Sequence, residues 1–365
     1  MDTLTHALSG ALIARATASG KPGSGALPLP RRIFVGFVSA SFPDIDVVAS
    51  YLSPLSYLYH HRGVTHSILL LPLWAALLAV VFALLWRRKY TPDPITNRDR
   101  DPGAGWRAYY GIAALGIGTH IAGDWITSFG TMLFAPFSDA RYALSATFII
   151  DLWFTGIILA GLLAAVIWRS KRAPAVAGFI VLIAYVGSQW LLQREAIDFG
   201  KRYAAAQELP QATVTAVPRP VSPFNWTVFV VDGDRYTYAH VNLVRKIARP
   251  EPAADTSFVQ RLDAPYRPLH DARWMKAGRY GTSADESALA REAYSRTEFE
   301  FFRWFAAYPA LLGTDGDPAS RCVWFHDLRF VTPGREGTPF RYGMCREETV
   351  WKPFQLIGEV RVPVY

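Results

Sequence analysis

Cysteines are few in this sequence, and an N-terminal signal pattern is missing. Only two cysteines, Cys322 and Cys345, occur in 365 residues. They are compatible with one disulfide in an oxidising compartment or with two separate buried thiols. The first apolar patch is short, lacks a preceding basic segment and contains His6. We therefore expect no cleavable signal peptide, and we assign targeting to the first membrane span.

Long apolar runs also become rare after about residue 195, and this change divides the chain. The earlier part holds nearly all of these runs, whereas the later part alternates charged, aromatic and β-branched residues as soluble domains do. The length of 365 residues also indicates two domains. We therefore predict an all-α polytopic membrane helical bundle in residues 1–195 and a soluble, extracytoplasmic α+β domain in residues 196–365.

The net charge of +8 is carried largely by short basic segments beside apolar runs. This pattern follows the positive-inside rule, so nucleic-acid binding is the weaker interpretation. Spans of about bilayer length are predicted at residues 68–86, 108–126, 148–168 and 174–192. Basic segments follow the first and third of these spans and assign both loops to the cytoplasm. The protein is then a multi-pass membrane protein whose C-terminal domain lies outside the cytoplasm.

Two shorter segments precede the first of these spans. A short amphipathic helix is predicted at residues 4–16, and it is too short to cross a hydrocarbon layer of roughly 30 Å. The apolar run 33–42 stops at Pro43, and because proline removes a backbone donor, we expect a helix break there. Asp44 and Asp46 follow this break, and residues 1–50 either span the membrane or re-enter it.

Histidines and aspartates lie in or beside these apolar segments, where an unpaired charge has no water to solvate it. His120 and Asp124 are four residues apart on a predicted helix, so their side chains share one face. Under the predicted topology, seven such groups converge at the outer face of the membrane: His6, Asp44, Asp46, His61, His66, His120 and Asp124. Imidazole and carboxylate ligands suit zinc, and also manganese or iron, and seven groups suffice for one or two ions. The alternative is a polar network that pairs the helices with one another.

The neighbouring polar residues have roles that depend on this metal site. Arg62 either neutralises negative charge that develops on a substrate or contacts a lipid phosphate. Asp44 and Asp46 are candidates for a bridging metal ligand or a catalytic base. Thr65 and Ser67 are expected to cap a helix.

The C-terminal region shows strand patterns broken by one helical stretch, at residues 287–312. A hairpin is predicted around the turn residues Asp232 and Gly233, because apolar and polar residues alternate on both sides. The predicted strands are residues 226–231, 236–243, 322–331 and 340–346. Three histidines of this region are interpreted as ordinary surface or core residues: His240, His270 and His326.

Five short motifs carry a resemblance to a known family. They are Met-Asp-Thr-Leu-Thr-His at 1–6, Pro-Asp-Ile-Asp at 43–46, His-Arg-Gly-Val-Thr-His-Ser at 61–67, His-Ile-Ala-Gly-Asp at 120–124 and Gly-Thr-Met-Leu-Phe-Ala-Pro-Phe-Ser at 130–138. Together they resemble the membrane-bound metal-dependent hydrolases of the YbcI/YdjM type, a bacterial inner-membrane group. The resemblance implies motifs similar to those of zinc-dependent phospholipase C and P1-type nucleases, soluble helical enzymes that hydrolyse phosphodiesters. Carried over by motif, it implies metal ligands at His6, Asp44 or Asp46, His66, His120 and Asp124.

These observations favour one function over two alternatives. The leading hypothesis is an inner-membrane hydrolase that uses one or two divalent ions to activate water against a phosphoester or lipid-linked substrate at the outer leaflet. The second is a non-catalytic membrane scaffold or lipid-binding protein whose outer domain engages an unknown protein partner. A metal transporter is disfavoured, because the predicted ligands lie on one side of the membrane. Membrane lipids are the expected partners in each case.

Overall fold

The computed structural model describes residues 1–18, 27–86, 105–253, 255–317, 321–335, 337–347 and 350–364. Two compact units divide the chain. The first comprises Met1–Val47, His60–Ser145 and Ile149–Ser188, and the second comprises Val48–Tyr59, Ala146–Phe148 and Gln189–Tyr365. Most of the basic loop predicted at residues 87–107 lies outside the described residues.

Helices dominate the N-terminal half of the chain. They are α1 (Thr3–Ala16), α2 (Leu29–Ser41), α3 (Pro54–His60), α4 (Leu71–Leu85), α5 (Trp106–Trp125), α6 (Leu152–Ile167) and α7 (Ala173–Ala206). Two apolar clusters form the core of the first unit. One joins α2, α4 and α5, and the other joins α1, α6 and the first part of α7.

Helix α1 is the central helix of the first unit. It packs against α2, α5 and α6, and nearly all of its residues from Thr5 to Ala16 are buried. The predicted short helix is therefore confirmed at Thr3–Ala16. Its amphipathic character is not, because an amphipathic helix exposes a polar face to solvent. Small residues allow this close packing, since Gly10 of α1 lies directly against Gly36 of α2.

Fewer helices qualify as membrane spans than the sequence predicted. Among the described residues, Leu29–Tyr51 and α7 are long and apolar enough, and a third span arises only if Pro54–His66 and α4, bent by 79°, count as one. Helices α4 and α6 have 15 and 16 residues, which gives each a length of roughly 23 Å against a hydrocarbon layer of roughly 30 Å. The prediction of an all-α polytopic bundle with four spans therefore overstated their number.

The helix break expected at Pro43 is confirmed. Helix α2 ends at Ser41, and a 3-10 helix, Phe42–Tyr51, begins at the next residue. Asp44 and Asp46 both lie in the first half of this 3-10 helix. A second, shorter 3-10 helix, Val64–His66, precedes α4.

The C-terminal part of the chain is rich in β-sheet. Its strands are β1 (Thr213–Pro218), β2 (Asn225–Asp232), β3 (Arg235–Asn242), β4 (Arg267–Pro268), β5 (Trp274–Gly278), β6 (Pro309–Asp315), β7 (Cys322–Asp327), β8 (Arg341–Glu347), β9 (Val350–Ile357) and β10 (Val360–Pro363). Three short helices accompany them: α8 (Phe258–Asp263), α9 (Ala284–Ser295) and α10 (Glu300–Phe305). One sheet has the order β1-β2-β3-β4, with β5 also paired to β3, and the other has the order β10-β9-β8-β7-β6.

The predicted hairpin is confirmed, with its turn displaced by one residue. Strands β2 and β3 pair in antiparallel fashion, and Asp232 faces Arg235, so the turn residues are Gly233 and Asp234. The helical prediction for residues 287–312 holds through α9 and α10 but fails at its end, where β6 begins at Pro309. His240 lies in the core of the first sheet, where burial lowers its pKa to about 3. A neutral His240 accordingly fits an ordinary core residue.

Cys322 and Cys345 form a disulfide. They face each other directly on the antiparallel strands β7 and β8. The bond crosslinks residues 23 positions apart, and the chain-entropy model assigns a loop of this size a stabilisation of about 3 kcal/mol.

We expect the double change Cys322→Ala and Cys345→Ala to lower the free energy of unfolding of the C-terminal domain by about 3 kcal/mol. Guanidinium unfolding of the full chain in detergent, followed by tryptophan fluorescence, measures this change. Wild-type protein treated with a reductant is the control and is expected to match the double variant. An unchanged unfolding midpoint in both samples would contradict the prediction.

Candidate metal centre

Four separate segments of the first unit bring ionisable side chains together. Helix α1 supplies His6, and the 3-10 helix after α2 supplies Asp44 and Asp46. The turn before α4 supplies three more residues, which are His61, Arg62 and His66. The last turns of α5 supply His120 and Asp124, one helical turn apart on the same face. The helix ends therefore meet at one place in the fold.

Four of these side chains point one ligand atom each at a common point. Asp44, His66, His120 and Asp124 offer atoms that all lie within 4.8 Å of one another. Nε2 of His66 lies 2.9 Å from Nε2 of His120 and 3.1 Å from Oδ2 of Asp124. Oδ1 of Asp44 lies 3.5 Å from Nε2 of His120 and 3.8 Å from Nε2 of His66. Two imidazoles and two carboxylates at such spacing are able to hold a metal ion.

The contacts at Nδ1 of the two histidines orient each Nε2 atom toward the cluster. Nδ1 of His120 lies 2.6 Å from the carbonyl oxygen of Ala40, which can only accept, so this nitrogen carries the proton. Nδ1 of His66 lies 3.0 Å from Oγ1 of Thr65 and 3.3 Å from Oδ2 of Asp46, and a proton on this nitrogen, donated to the carboxylate, would leave the same lone pair on Nε2. In that tautomer the two Nε2 atoms, which lie 2.9 Å apart, would both be unprotonated. Such an arrangement is repulsive unless a cation lies between the lone pairs.

Asp124 divides its two oxygens between the protein and the cluster. Oδ1 accepts from Nε2 of His6 at 3.0 Å and from the Arg62 guanidinium at 3.0 Å, and it also contacts the amino group of Met1. Oδ2 is buried without a hydrogen-bond donor among the described residues. A buried anionic oxygen without a donor is costly. The residues present therefore fit a metal ion, which would coordinate this oxygen.

Asp44 also uses one carboxylate oxygen for a protein hydrogen bond and the other for the cluster. Its Oδ2 accepts a hydrogen bond from Oγ1 of Thr3 at 2.6 Å, while Oδ1 points at the two imidazoles. Its side chain is 15% exposed, whereas the other three cluster residues are at most 1% exposed. Solvent therefore reaches the cluster from the side of Asp44.

Asp46 lies one hydrogen bond away from the four-atom cluster. Its carboxylate accepts from Nδ1 of His61 at 3.0 Å and from the backbone N–H of Arg62 at 2.8 Å, and it also orients His66. One carboxylate thus holds two imidazoles and the turn between them. His61 is bound to Asp46 and does not point an atom at the common point.

We expect Asp46→Asn to weaken metal binding by about 10- to 100-fold without abolishing it, because outer carboxylates set the tautomer and basicity of the ligating imidazole. Competition with a chromophoric chelator measures the affinity. Asp198→Asn, at an exposed site on α7, is the control and is expected to bind metal like the wild type. Equal affinities of the two variants would show that Asp46 does not position His66.

Arg62 is held in an unusual backbone conformation. Its φ of 61° lies in the left-handed region, which costs a residue other than glycine roughly 1–3 kcal/mol. Its guanidinium is buried, lies 3.0 Å from Asp124 and donates to Oγ1 of Thr127 at 2.8 Å. The ring of Phe129 covers it, with the guanidinium carbon 4.8 Å from the ring centroid. These contacts offset the backbone cost and commit Arg62 to Asp124.

His6 and the two hydroxyl residues take supporting positions. His6 stacks on His120, with ring centroids 3.7 Å apart, and holds Asp124. The hydroxyl of Thr65 contacts Nδ1 of His66 at 3.0 Å. Ser67 accepts from the N–H of Leu69, while α4 begins only at Leu71. The capping role expected for Thr65 and Ser67 is therefore wrong, because the helix starts later than the apolar run.

Sequence reasoning missed several groups that hold the cluster in place. Thr3 anchors Asp44, and the Ala40 carbonyl fixes His120. Asp2 caps α1 by accepting from the N–H of Thr5. Only Asp2 carried a usable signal, because an acidic residue directly before an apolar helix is a typical N-cap. Every residue has a backbone carbonyl, so the residue types could not identify the one of Ala40 as the partner of His120.

Comparisons with known proteins cover mainly the helical half. A family model described as YdjM inner membrane protein matches residues 1–196. The uncharacterized protein YfhP of Bacillus subtilis (strain 168) is 25% identical over 197 residues, which are 53% of this chain and 55% of that protein. The chain thus matches about half the length of this curated relative. No solved structure matches the chain. Because the family model covers more than half of the sequence and two described helices are able to span a bilayer, the chain belongs to the YdjM family of inner membrane proteins.

Proposed function

We propose that this protein is a membrane-bound metal-dependent hydrolase that acts on a phosphoester or lipid-linked substrate. The observation that carries the proposal is the buried cluster in which two imidazole lone pairs and the donor-free Oδ2 of Asp124 converge. Nitrogen and oxygen ligands of this kind suit zinc, manganese or iron. The cluster accounts for one ion, held by Asp44, His66, His120 and Asp124.

The residues around the cluster support catalysis rather than a closed structural site. A divalent ion held by these residues would lower the pKa of a bound water and polarise the scissile group. Asp44 lies on the accessible side and has one oxygen fixed by Thr3, so water would reach the ion from this side. Arg62 stabilises the charge of Asp124, and His6 holds the same carboxylate.

Exposed apolar side chains beside the accessible side favour a substrate with a lipid portion. Ile45 and Val47 alternate with the two aspartates and are 54% and 50% exposed. Ile68, two residues after His66, is 52% exposed. Large apolar side chains next to a polar site suit a molecule that combines a polar headgroup with a hydrocarbon chain.

The disulfide supports an extracytoplasmic position of the C-terminal domain. Disulfides persist in oxidising compartments and are rare in the cytosol, and Cys322 and Cys345 are bonded. We propose that α7 crosses the membrane and leads into this domain on the outer side. The cluster would then act at the outer leaflet of a multi-pass protein.

The test is hydrolysis by the purified full chain in detergent, loaded in turn with zinc, manganese and iron. Phospholipids and a chromogenic phosphodiester are the substrates, and His120→Ala is compared with His270→Ala, a change at an exposed residue of the C-terminal domain. We expect turnover that a chelator abolishes, that His120→Ala reduces to background and that His270→Ala preserves. Stoichiometric metal without turnover on any substrate would overturn the hydrolase and indicate a metal-stabilised scaffold.

A further inference from the structure

The described part of the connection between β3 and α8, residues 243–253 and 255–257, presents an exposed surface that combines apolar and basic side chains. Long connections without regular secondary structure are uncommon in compact domains and are often functional. Val244 and Ile247 in this loop are 56% and 82% exposed. Phe258 and Val259, at the start of α8, are 57% and 54% exposed. We call these four residues, with Lys246 and Arg249, the loop surface.

The loop is pinned to the domain on both sides of Ile247. The side-chain oxygen of Asn242 accepts from the N–H groups of Val244 and Arg245. The Arg245 guanidinium donates to Oδ2 of Asp263 at 2.8 Å and to the carbonyl oxygen of Tyr266. Arg249 reaches the same Asp263 oxygen at 2.8 Å. The exposure of Ile247 is therefore a feature of an ordered loop.

The same contacts bring the two apolar pairs together. Asp263 is the last residue of α8, and both arginines of the loop bind it. Helix α8 has 6 residues, so Phe258 and Val259 lie within roughly 8 Å of Asp263 along the helix axis. The loop and the short helix α8, which carry these exposed apolar side chains, are therefore neighbours.

Positive charge surrounds these apolar side chains. Lys246 is exposed, and the Arg249 side chain remains 50% exposed although it pairs with Asp263. Of the acidic residues in the loop, Glu251 pairs with Arg273, and Asp255 is exposed. Exposed apolar residues beside basic ones are the pattern of segments that enter the interface of a membrane with anionic lipids.

We propose that the loop surface docks the C-terminal domain onto the anionic lipid surface of the membrane that anchors the chain. Ile247, Phe258 and Val259 enter the headgroup region, while Lys246 and Arg249 contact lipid phosphates. The basic side chains of the loop surface complement anionic lipid phosphates, which favours lipid over an apolar protein groove as the partner. The proposal does not depend on the metal centre or on catalysis.

The test uses the full chain in lipid nanodiscs, with Ile247→Cys carrying a fluorophore, because both native cysteines are bonded to each other. Val360→Cys, at a residue 64% exposed on β10, is the control position. Quenching by spin-labelled lipid is compared between discs of phosphatidylcholine alone and discs that contain phosphatidylglycerol. We expect at least twofold stronger quenching at 247 than at 360 in the anionic discs only. Adding Lys246→Glu is expected to lower the docked fraction at least about fivefold.

Salt supplies an independent readout, because raising it from about 0.1 M to about 1 M shortens the Debye length from roughly 10 Å to 3 Å. Quenching at 247 is expected to fall accordingly. Equal quenching at both positions, or equal quenching in the two kinds of disc, would overturn the proposal. A photocrosslinker placed at position 247 in native membranes that captures another protein, together with a fluorophore there that lipid does not quench, would assign the loop surface to a protein partner instead.

Discussion

We expect the wild-type chain to purify with about one divalent ion per chain and the His120→Ala protein to lack it. His120 contributes a buried Nε2 atom whose tautomer is fixed by the Ala40 carbonyl, and alanine removes that ligand altogether. Loss of an outer carboxylate alone weakens metal sites by about 10- to 100-fold, so loss of a direct ligand is expected to weaken binding by more than about a hundredfold. Elemental analysis after gel filtration measures the effect.

The same result is expected for His66→Ala and Asp124→Ala, since each removes one of the four converging atoms. His60→Ala is the matched control, because His60 is an exposed neighbour of the cluster turn. It is expected to keep its metal. Wild-type protein without stoichiometric metal would rule out the metal centre, and so would His120→Ala protein that retains the full amount.

Gly10→Val is expected to destabilise the helical unit by about 3 kcal/mol or more, through overpacking between α1 and α2. A Cβ atom at Gly10 would lie 2.2 Å from the carbonyl oxygen of Gly36 and 2.4 Å from Cβ of Ala40. Both neighbours belong to the rigid body of a helix, so the helices must separate. Because α1 carries His6 and α2 leads into Asp44, we also expect weaker metal binding. Thermal unfolding in detergent, with metal analysis of the folded fraction, measures both effects.

Gly111→Ala is the control for this prediction. Gly111 lies on α5, and a Cβ atom there would meet nothing within 4 Å. Alanine favours a helix interior over glycine by roughly 0.5–1 kcal/mol, so this variant is expected to be as stable as the wild type or slightly more stable. If the Gly10→Val and Gly111→Ala proteins unfolded at the same temperature, the α1–α2 contact would not be tight.

Local rules recovered many elements of the fold. Pro43 marked the end of α2 because a missing backbone donor is a local property. The β2–β3 hairpin followed from alternation on both sides of a turn sequence. The number of membrane spans could not be predicted from such rules. Hydropathy measures how apolar a helix is, and not whether lipid or protein covers it. Helix α4, for example, is apolar throughout but buries Ala75, Ala79 and Phe82 in the bundle.

For the candidate site, residue types identified the neighbourhood but not the role of each side chain. Seven predicted groups do lie around one place, since spacing on α5 and the break at Pro43 restrict where they point. Their division into four converging atoms and three supporting groups depends on hydrogen bonds that cross between segments. Asp44 and Asp46 have the same side chain and differ in their partners, since Thr3 binds Asp44, whereas His61 and the N–H of Arg62 bind Asp46. No local pattern in the sequence encodes that difference.

The second oxygens of Asp44 and Asp124 have a consequence for how the protein would exchange a bound ion. Thr3 holds one of them, and His6 and Arg62 hold the other, so protein donors keep both carboxylates in place without help from a cation. Removal of the ion should therefore leave the ligand side chains in their preorganised positions instead of a collapsed site. Cobalt could then be introduced into the stripped protein as a spectroscopic reporter, without refolding the chain.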